Sequence, residues 1–413
     1  MSEKTINKIP NVPNLRFSKY SEIIKLWRCS DFLKTFSTNS LSWDQLSYID
    51  ESEFKNLHYG LIHNGAPTLI NCEEYQLPFM QSKIKNYTLC KNGDIIFADA
   101  SEDTKDICKP VEFINIANNK VVSGLHTIHA RDIKELTVIG FKGYLFSSYN
   151  FHKQVHRLTQ GTKIFSINPG NFKEMYVGIP DVNEQKDIVY LFSKIDKRIE
   201  SQNKIIEDLD TLKKSISLLI FGDNSEIKLN WKLVKLSNVL KERKTYDIKE
   251  SKYPHATLSK EGIYAKIDRY NRDFLVKDEE KNYKVTHLND ICYNPANLKF
   301  GVICLNTYGD AIFSPIYVTY EVRAGNDPYF ISQYITNPTF IGHIRKYEQG
   351  TVYERMAVSS EDFLKGEINL PTYQVQLYIS KIFKSINDKM NLELQVLEKY
   401  KEQKKFLLSN MFI

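Results

Sequence analysis

Few residues in this chain are spaced for chemistry. There is no phosphate-cradling loop of the Gly-x-x-x-x-Gly-Lys-Ser/Thr kind and no Gly-rich dinucleotide turn after a strand. His-Glu-x-x-His and Gly-x-Ser-x-Gly are absent as well. Tyr293-Asn294-Pro295-Ala296 is distantly similar to the Asn-Pro-Pro-aromatic loop with which amino-methyltransferases grip a base. It lacks the second proline, the aromatic residue and any glycine motif for a cofactor, so an Asn-Pro turn after a strand explains it. Glu250-Ser251-Lys252 is the kind of triplet that closes a nuclease carboxylate–lysine set, but Glu-x-Lys recurs by chance in a Lys-rich chain. The six cysteines, at 29, 72, 90, 108, 292 and 304, have no metal-ligand spacing and read as reduced thiols of a cytoplasmic protein. On motif grounds the chain holds no catalytic, metal or cofactor site.

The remaining polar groups suit contact with DNA. In the first half Lys83, Lys85, Asn86 and Tyr87 cluster, as do His126, His129 and Arg131, and again His152, Lys153, His156 and Arg157. In the second half Lys241, Arg243, Lys244 and Tyr246 form one group, and Arg269, Tyr270, Asn271 and Arg272 another. Lys and Arg neutralise phosphates, and Arg and Asn also read base edges. Any one such cluster is also what a solvated loop looks like. The net charge of +6 permits a nucleic-acid surface without requiring one.

Two long helices must position these groups. From Glu184 to Phe221 there is no Gly or Pro, and a heptad seam runs Ile188, Phe192, Ile195, Ile199, Gln202, Ile206, Leu209, Lys213, Ile216, Ile220. Each position returns 191 residues later: Ile379, Phe383, Ile386, Met390, Glu393, Leu397, Tyr400, Lys404, Leu407, Met411. Even the polar layers match, Gln202 with Glu393 and Lys213 with Lys404. Pro180-Asp181 and Pro371-Thr372 precede the two runs, and Asp181 with Glu184 fits a capping box. Shared register predicts that the helices are partners.

Other landmarks repeat too. Cys29-Ser30-Asp31-Phe32-Leu33-Lys34 is echoed by Leu236-Ser237-Asn238-Val239-Leu240-Lys241, and Asn92-Gly93-Asp94-Ile95 by Leu288-Asn289-Asp290-Ile291. Tyr144-Leu145-Phe146 is echoed by Tyr329-Phe330-Ile331, and Gln160-Gly161-Thr162 by Gln349-Gly350-Thr351. The chain is a tandem duplication, of α+β class: a β-rich globule and a long helix, twice, with the helices pairing as an antiparallel coiled coil. The expected boundaries are 1–180 for the first globule, 181–222 for the central helix, 223–371 for the second globule and 372–413 for the last helix. Within the first globule, Trp27–Phe36 reads as a short helix. Ile95–Phe97, Val111–Ile116, Val121–Val122 and Leu136–Ile139 read as strands, and Leu145–Leu158 as helical. A chain of 413 residues with 42% apolar and 26% charged residues is globular, with no run of the ~20 apolar residues that a membrane span needs.

This plan resembles the specificity (S) subunit of type I restriction-modification systems. The residues that carry the likeness are Gly161, Pro180 and Glu184-Gln185 before the first seam. The globule openings are similar too, at Val12-Pro13-Asn14-Leu15-Arg16-Phe17 with Trp27, and at Trp231-Lys232-Leu233-Val234-Lys235-Leu236. Single prolines stand where the family often has two, and Val375 replaces the Glu expected before Gln376. The resemblance implies two target-recognition domains, each reading half of a split, asymmetric DNA site whose gap the helices set. It implies docking of two methyltransferase subunits carrying S-adenosylmethionine, joined for restriction by translocase/nuclease subunits that use ATP and Mg. This chain would then be non-catalytic. A stand-alone methyltransferase or nuclease, or a coiled-coil scaffold without a DNA role, are the competing readings.

Overall fold

A computed structural model describes residues 12–82, 85–102, 106–159, 165–223, 225–248, 252–266, 282–349 and 356–413. Lys83, Gln160-Gly161-Thr162, Glu250-Ser251, Arg269–Arg272 and Gly350-Thr351 lie outside the described residues. The chain forms two compact units, Met1–Asn203 with Gln395–Ile413, and Lys204–Leu394.

Both seams are helical, over Val182–Phe221 and Tyr373–Asn410. None of the twenty seam residues is exposed. Within the first unit the start of the central helix meets the end of the last one. Phe192 packs on Phe412 with ring centroids 5.8 Å apart, and Lys404 pairs with Asp196 at 2.6 Å. Within the second unit the end of the central helix meets the start of the last, and Phe221 stacks on Phe383 at 6.0 Å. The two helices therefore run antiparallel. The capping box is half made. Asp181 accepts from the N–H groups of Asn183 and Glu184. The Glu184 carboxylate instead takes a bidentate bond from Arg16, at 2.7 and 2.6 Å.

In the first unit a five-stranded sheet runs Leu33–Phe36, Thr127–Asp132, Ile95–Ala98, Pro110–Asn115, Leu69–Asn71. All its pairs are antiparallel except the last. A smaller sheet orders Lys120–Ser123, Phe54–Leu57, Phe79–Met80, Leu46–Ser47. The five-stranded sheet closes on a core rich in aromatic rings, among them Phe97, Phe146, Phe151 and Phe172, while the smaller sheet packs Met80 and Val122 with Leu41. In the second unit a four-stranded antiparallel sheet runs Leu240–Glu242, Val318–Val322, Ile291–Tyr293, Ile303–Leu305. A three-stranded sheet lies beside it, ordered Tyr246–Asp247, Tyr283–Thr286, Ala311–Phe313. Each globule also opens and closes on one antiparallel pair, Lys25–Arg28 with Tyr176–Ile179 and Lys232–Lys235 with Glu367–Leu370.

Three local expectations are corrected. Trp27–Phe36 is strand, one helical turn at Cys29–Phe32, then strand. Leu145–Leu158 is two helices, Phe141–Phe146 and Tyr149–Leu158, because the Ser148 side chain caps the second by accepting from Phe151 N–H. Leu136–Ile139 is not a strand. Gln185 at the helix start captures its backbone, donating to Leu136 C=O at 2.9 Å and accepting from Val138 N–H at 2.8 Å. That bonding replaces a ladder.

Candidate nucleic-acid interface

Three patches of the first unit bring exposed basic and aromatic groups together. The first is built on the small sheet. Tyr87 lies edge-on to Phe54 with centroids 4.9 Å apart, Lys120 sits 5.7 Å above the same ring, and Lys55 sits 5.0 Å above Phe79. Lys85, Asn86 and Tyr87 are exposed beside them. Alternation puts Phe54 with its register partner Lys120 on one face of this sheet, and Lys55 with its register partner Phe79 on the other. The sequence reading missed Phe54, Lys55 and Lys120. Phe54 and Lys55 signal only as an adjacent Lys-aromatic pair, common on any sheet, and Lys120 has no aromatic neighbour in sequence.

Around His126 there is a second patch. Its backbone sits in the left-handed region (φ 52°), which holds the ring out in solvent 5.3 Å from Tyr59. Behind Tyr59 stand His58 at 4.6 Å and then Trp43, which is half exposed. Such a row of rings can stack bases. Burial pushes His58 down to about 4, with the neighbouring His126 charge adding to the effect. The third patch is one face of Tyr149–Leu158, where Lys153, His156 and Arg157 are exposed, while burial pushes His152 beneath them down to about 4.

His129 and Arg131 point elsewhere. His129 is fully buried and donates from Nε2 to Asp94 at 2.7 Å. Arg131 grips both Asp94 oxygens at 2.6 Å, donates to Leu89 C=O, and lies over the Phe36 ring. Burial alone would raise Asp94, but the Arg131 and His129 bonds together hold it below the usual carboxylate range. Cys90, Asp94 and His129 have ligand atoms within 4.8 Å of one another. The place an ion would take beside Asp94 already holds a guanidinium.

In the second unit Lys241 and Lys244 are exposed on either side of Arg243, which is turned inward onto Asp290 at 2.8 and 2.9 Å. Tyr246 is exposed and lies under Lys284, whose ammonium is held by Glu242 at 3.0 Å. Burial acts to raise Glu242, and bonds from Ser360 and Lys284 outweigh it, leaving the carboxyl below its ordinary value. Asn294, in the loop compared above with a methyltransferase grip, caps a short helix by accepting from Ala296 N–H. No helix among the described residues is long and apolar enough to cross a membrane.

Residues 64–211 match the family described as Type I restriction modification DNA specificity domain. The fold is similar to the type I restriction-modification S subunit from M. genitalium. That match has 15% identity, covers 97% of this chain and 99% of that one, and has a TM-score of 0.52. A second similar chain comes from a structure of complex assembly and conformational transition of the type I R-M system. It has 12% identity, covers 93% and 96% of the two chains, and has a TM-score of 0.56. No curated protein matches the sequence. The specificity-domain match over residues 64–211 and the fold shared with type I S subunits bear out the resemblance drawn from the sequence.

Proposed function

We propose that the chain is the non-catalytic DNA-reading subunit of a type I restriction-modification complex, with each globule recognising one half of a bipartite, asymmetric site. The observation that carries this is the duplication itself. One sheet plan is built twice, yet the exposed residues on it differ. The first globule offers Lys85, Asn86, Tyr87 and His126, with Lys153 and Arg157. To these the sequence adds Lys83, and the second globule offers Lys241 and Lys244, with Arg269, Tyr270, Asn271 and Arg272 added from the sequence. Arg131 and Arg243 shape the loops from below, since Asp94 and Asp290 occupy them.

The methyltransferase partners, with their S-adenosylmethionine, would dock along the helices. There the seam is sequestered, but Ile205, Leu212, Leu219, Leu392 and Phe406 are exposed off it. ATP and Mg belong to the translocase/nuclease partner, and the complex works in the cytoplasm. Replacing residues 37–150 with the equivalent part of a related subunit should change one half of the methylated site and leave the other intact, read by methylome sequencing with the cognate methyltransferase. A change in both halves, or methylation that ignores the swap, would overturn independent reading.

A further inference from the structure

The two large sheets share a strand plan until their last position. Leu33–Phe36 corresponds to Leu240–Glu242, Thr127–Asp132 to Val318–Val322, and Ile95–Ala98 to Ile291–Tyr293. Next comes Pro110–Asn115 in one sheet and Ile303–Leu305 in the other, with Glu112 opposite Ile95 just as Leu305 is opposite Ile291. The first sheet then adds a fifth strand, Leu69–Asn71, parallel to Pro110–Asn115. Among the described residues the second sheet stops at Ile303–Leu305.

The backbone at this edge is aimed outward. Asn294 N–H bonds Val302 C=O and Asn306 N–H bonds Asp290 C=O, so residues 302, 304 and 306 face the sheet. Antiparallel alternation turns the N–H of Leu305 to the open side, where it has no partner among the described residues. Its counterpart, Glu112 N–H, is bonded at 2.9 Å to Thr68 C=O, on the residue that leads into the added strand.

Beside this edge lies a groove of about 930 Å3, walled on the other side by the helix Pro328–Ile335. Among the described residues Lys213, Lys260, Lys299 and Arg345 line it against one acid, Glu261, with Arg345 itself paired to Glu348, and the exposed ring of Phe300 belongs to the same lining. Lys213 holds the seam position that Lys404 holds in the first unit. There Lys404 pairs with Asp196 at 2.6 Å. In the second unit Asn387 stands where that acid would be and bonds Tyr329 instead, so Lys213 has no ion pair among the described residues.

We propose that this groove takes an extended, acidic segment of a partner protein, which adds a strand to the edge at Ile303–Leu305 and places a carboxylate on Lys213. An open strand edge gives main-chain hydrogen bonds to any extended peptide, and the flanking pockets and charges select the sequence. A DNA duplex has no strand-spaced amides to offer an open edge.

The first unit supplies the probe: a dye-labelled peptide with the sequence of residues 66–75, Ala-Pro-Thr-Leu-Ile-Asn-Cys-Glu-Glu-Tyr, with Cys72→Ser. Added to the full chain, it should bind in the micromolar to millimolar range and slow amide exchange at 303–306. Leu305→Pro, which removes the outward N–H along with a side chain packed on the core, should abolish binding. Lys213→Glu should weaken it about tenfold and favour the version with both glutamates changed to lysine. Four results would overturn the proposal: no binding at millimolar peptide; binding indifferent to both substitutions; slow exchange at Leu305 before peptide is added, which means the groove is filled from within; or displacement of the peptide by duplex DNA that protects the same amides.

Discussion

Each globule buries a carboxylate just before its central strand and neutralises it with an arginine, but the arginine comes from different strands. In the first unit Arg131 reaches Asp94 from Thr127–Asp132, and Phe36 on the neighbouring strand covers it. In the second unit Arg243 follows Leu240–Glu242, at the position that matches Phe36, and Glu321 stands where Arg131 would be, 3.8 Å from the guanidinium. The buried charge pair is maintained while its residues trade places. What the duplication preserves is a compensated carboxylate that holds a loop, through Lys91 N–H in one case and His287 N–H in the other. The surface above that loop is left free to differ.

The comparison is broken most severely by Phe412→Ala. Phe412 is buried against Phe141 and Phe192 in the first core, and its truncation should cost about 3–5 kcal/mol. Amide exchange should quicken in the first unit and hardly change in the second. Next in size, Arg131→Ala and Arg243→Ala each strand a buried carboxylate and should each cost about 3 kcal/mol in denaturant unfolding. The pair Phe36→Arg with Arg131→Glu rebuilds the second unit's arrangement in the first, and should recover much of the Arg131→Ala loss. No recovery would mean that the two arrangements are not interchangeable.

A third difference is acid sensitivity. His58 is 1% exposed and held near 4 by burial, against 6.5 for a free histidine. Below 6.5 the unfolded chain binds a proton that the folded one refuses, so stability is lost as pH falls from 6.5 towards 4. At pH 5 the loss is on the order of 2 kcal/mol. The first unit should open first, and His58→Gln should remove its share of that pH dependence, leaving the share of His152, which burial also holds near 4. The smallest effect tests a likeness. Gln185 bonds Pro180 C=O and Val138 N–H, and Gln376 bonds Pro371 C=O and Asp327 N–H. Alanine at either site should cost about 1–2 kcal/mol, and more at Gln185, which also bonds Leu136 C=O.

Those glutamines show what the sequence can reveal. A side chain repeated at a fixed offset from a proline and a heptad seam carries its own register, and Gln185 and Gln376 were visible before any fold was known. The bond from Arg16 to Glu184 was not, because 168 residues separate the partners and neither has a periodic pattern. It also accounts for Val375. Glu184 is buried because Arg16 compensates it, whereas Val375 is 40% exposed with no such partner. The Leu136–Ile139 run has the apolar residues of a strand, and only the arrival of Gln185 decides otherwise. Of the groups singled out for DNA, Arg131, His129 and Arg243 were chosen by residue type, and type alone cannot tell an outward guanidinium from one committed to Asp94 or Asp290. The fifth strand at Leu69–Asn71 escaped for a related reason. Three residues are too few for alternation to register.

The first core also contains Met411 and Phe412, and Gly178 N–H bonds the Ile413 carbonyl so closely that a Cβ there would meet the Ile413 side chain at 2.2 Å. On the ribosome, Gln395–Ile413 emerges only after the whole second unit has been made. The first globule must therefore wait, with Phe141, Phe192 and Ile188 uncovered, while the second is synthesised. Its residence time as an open intermediate is set by translation rather than by its own folding rate, which makes it the half most in need of a chaperone.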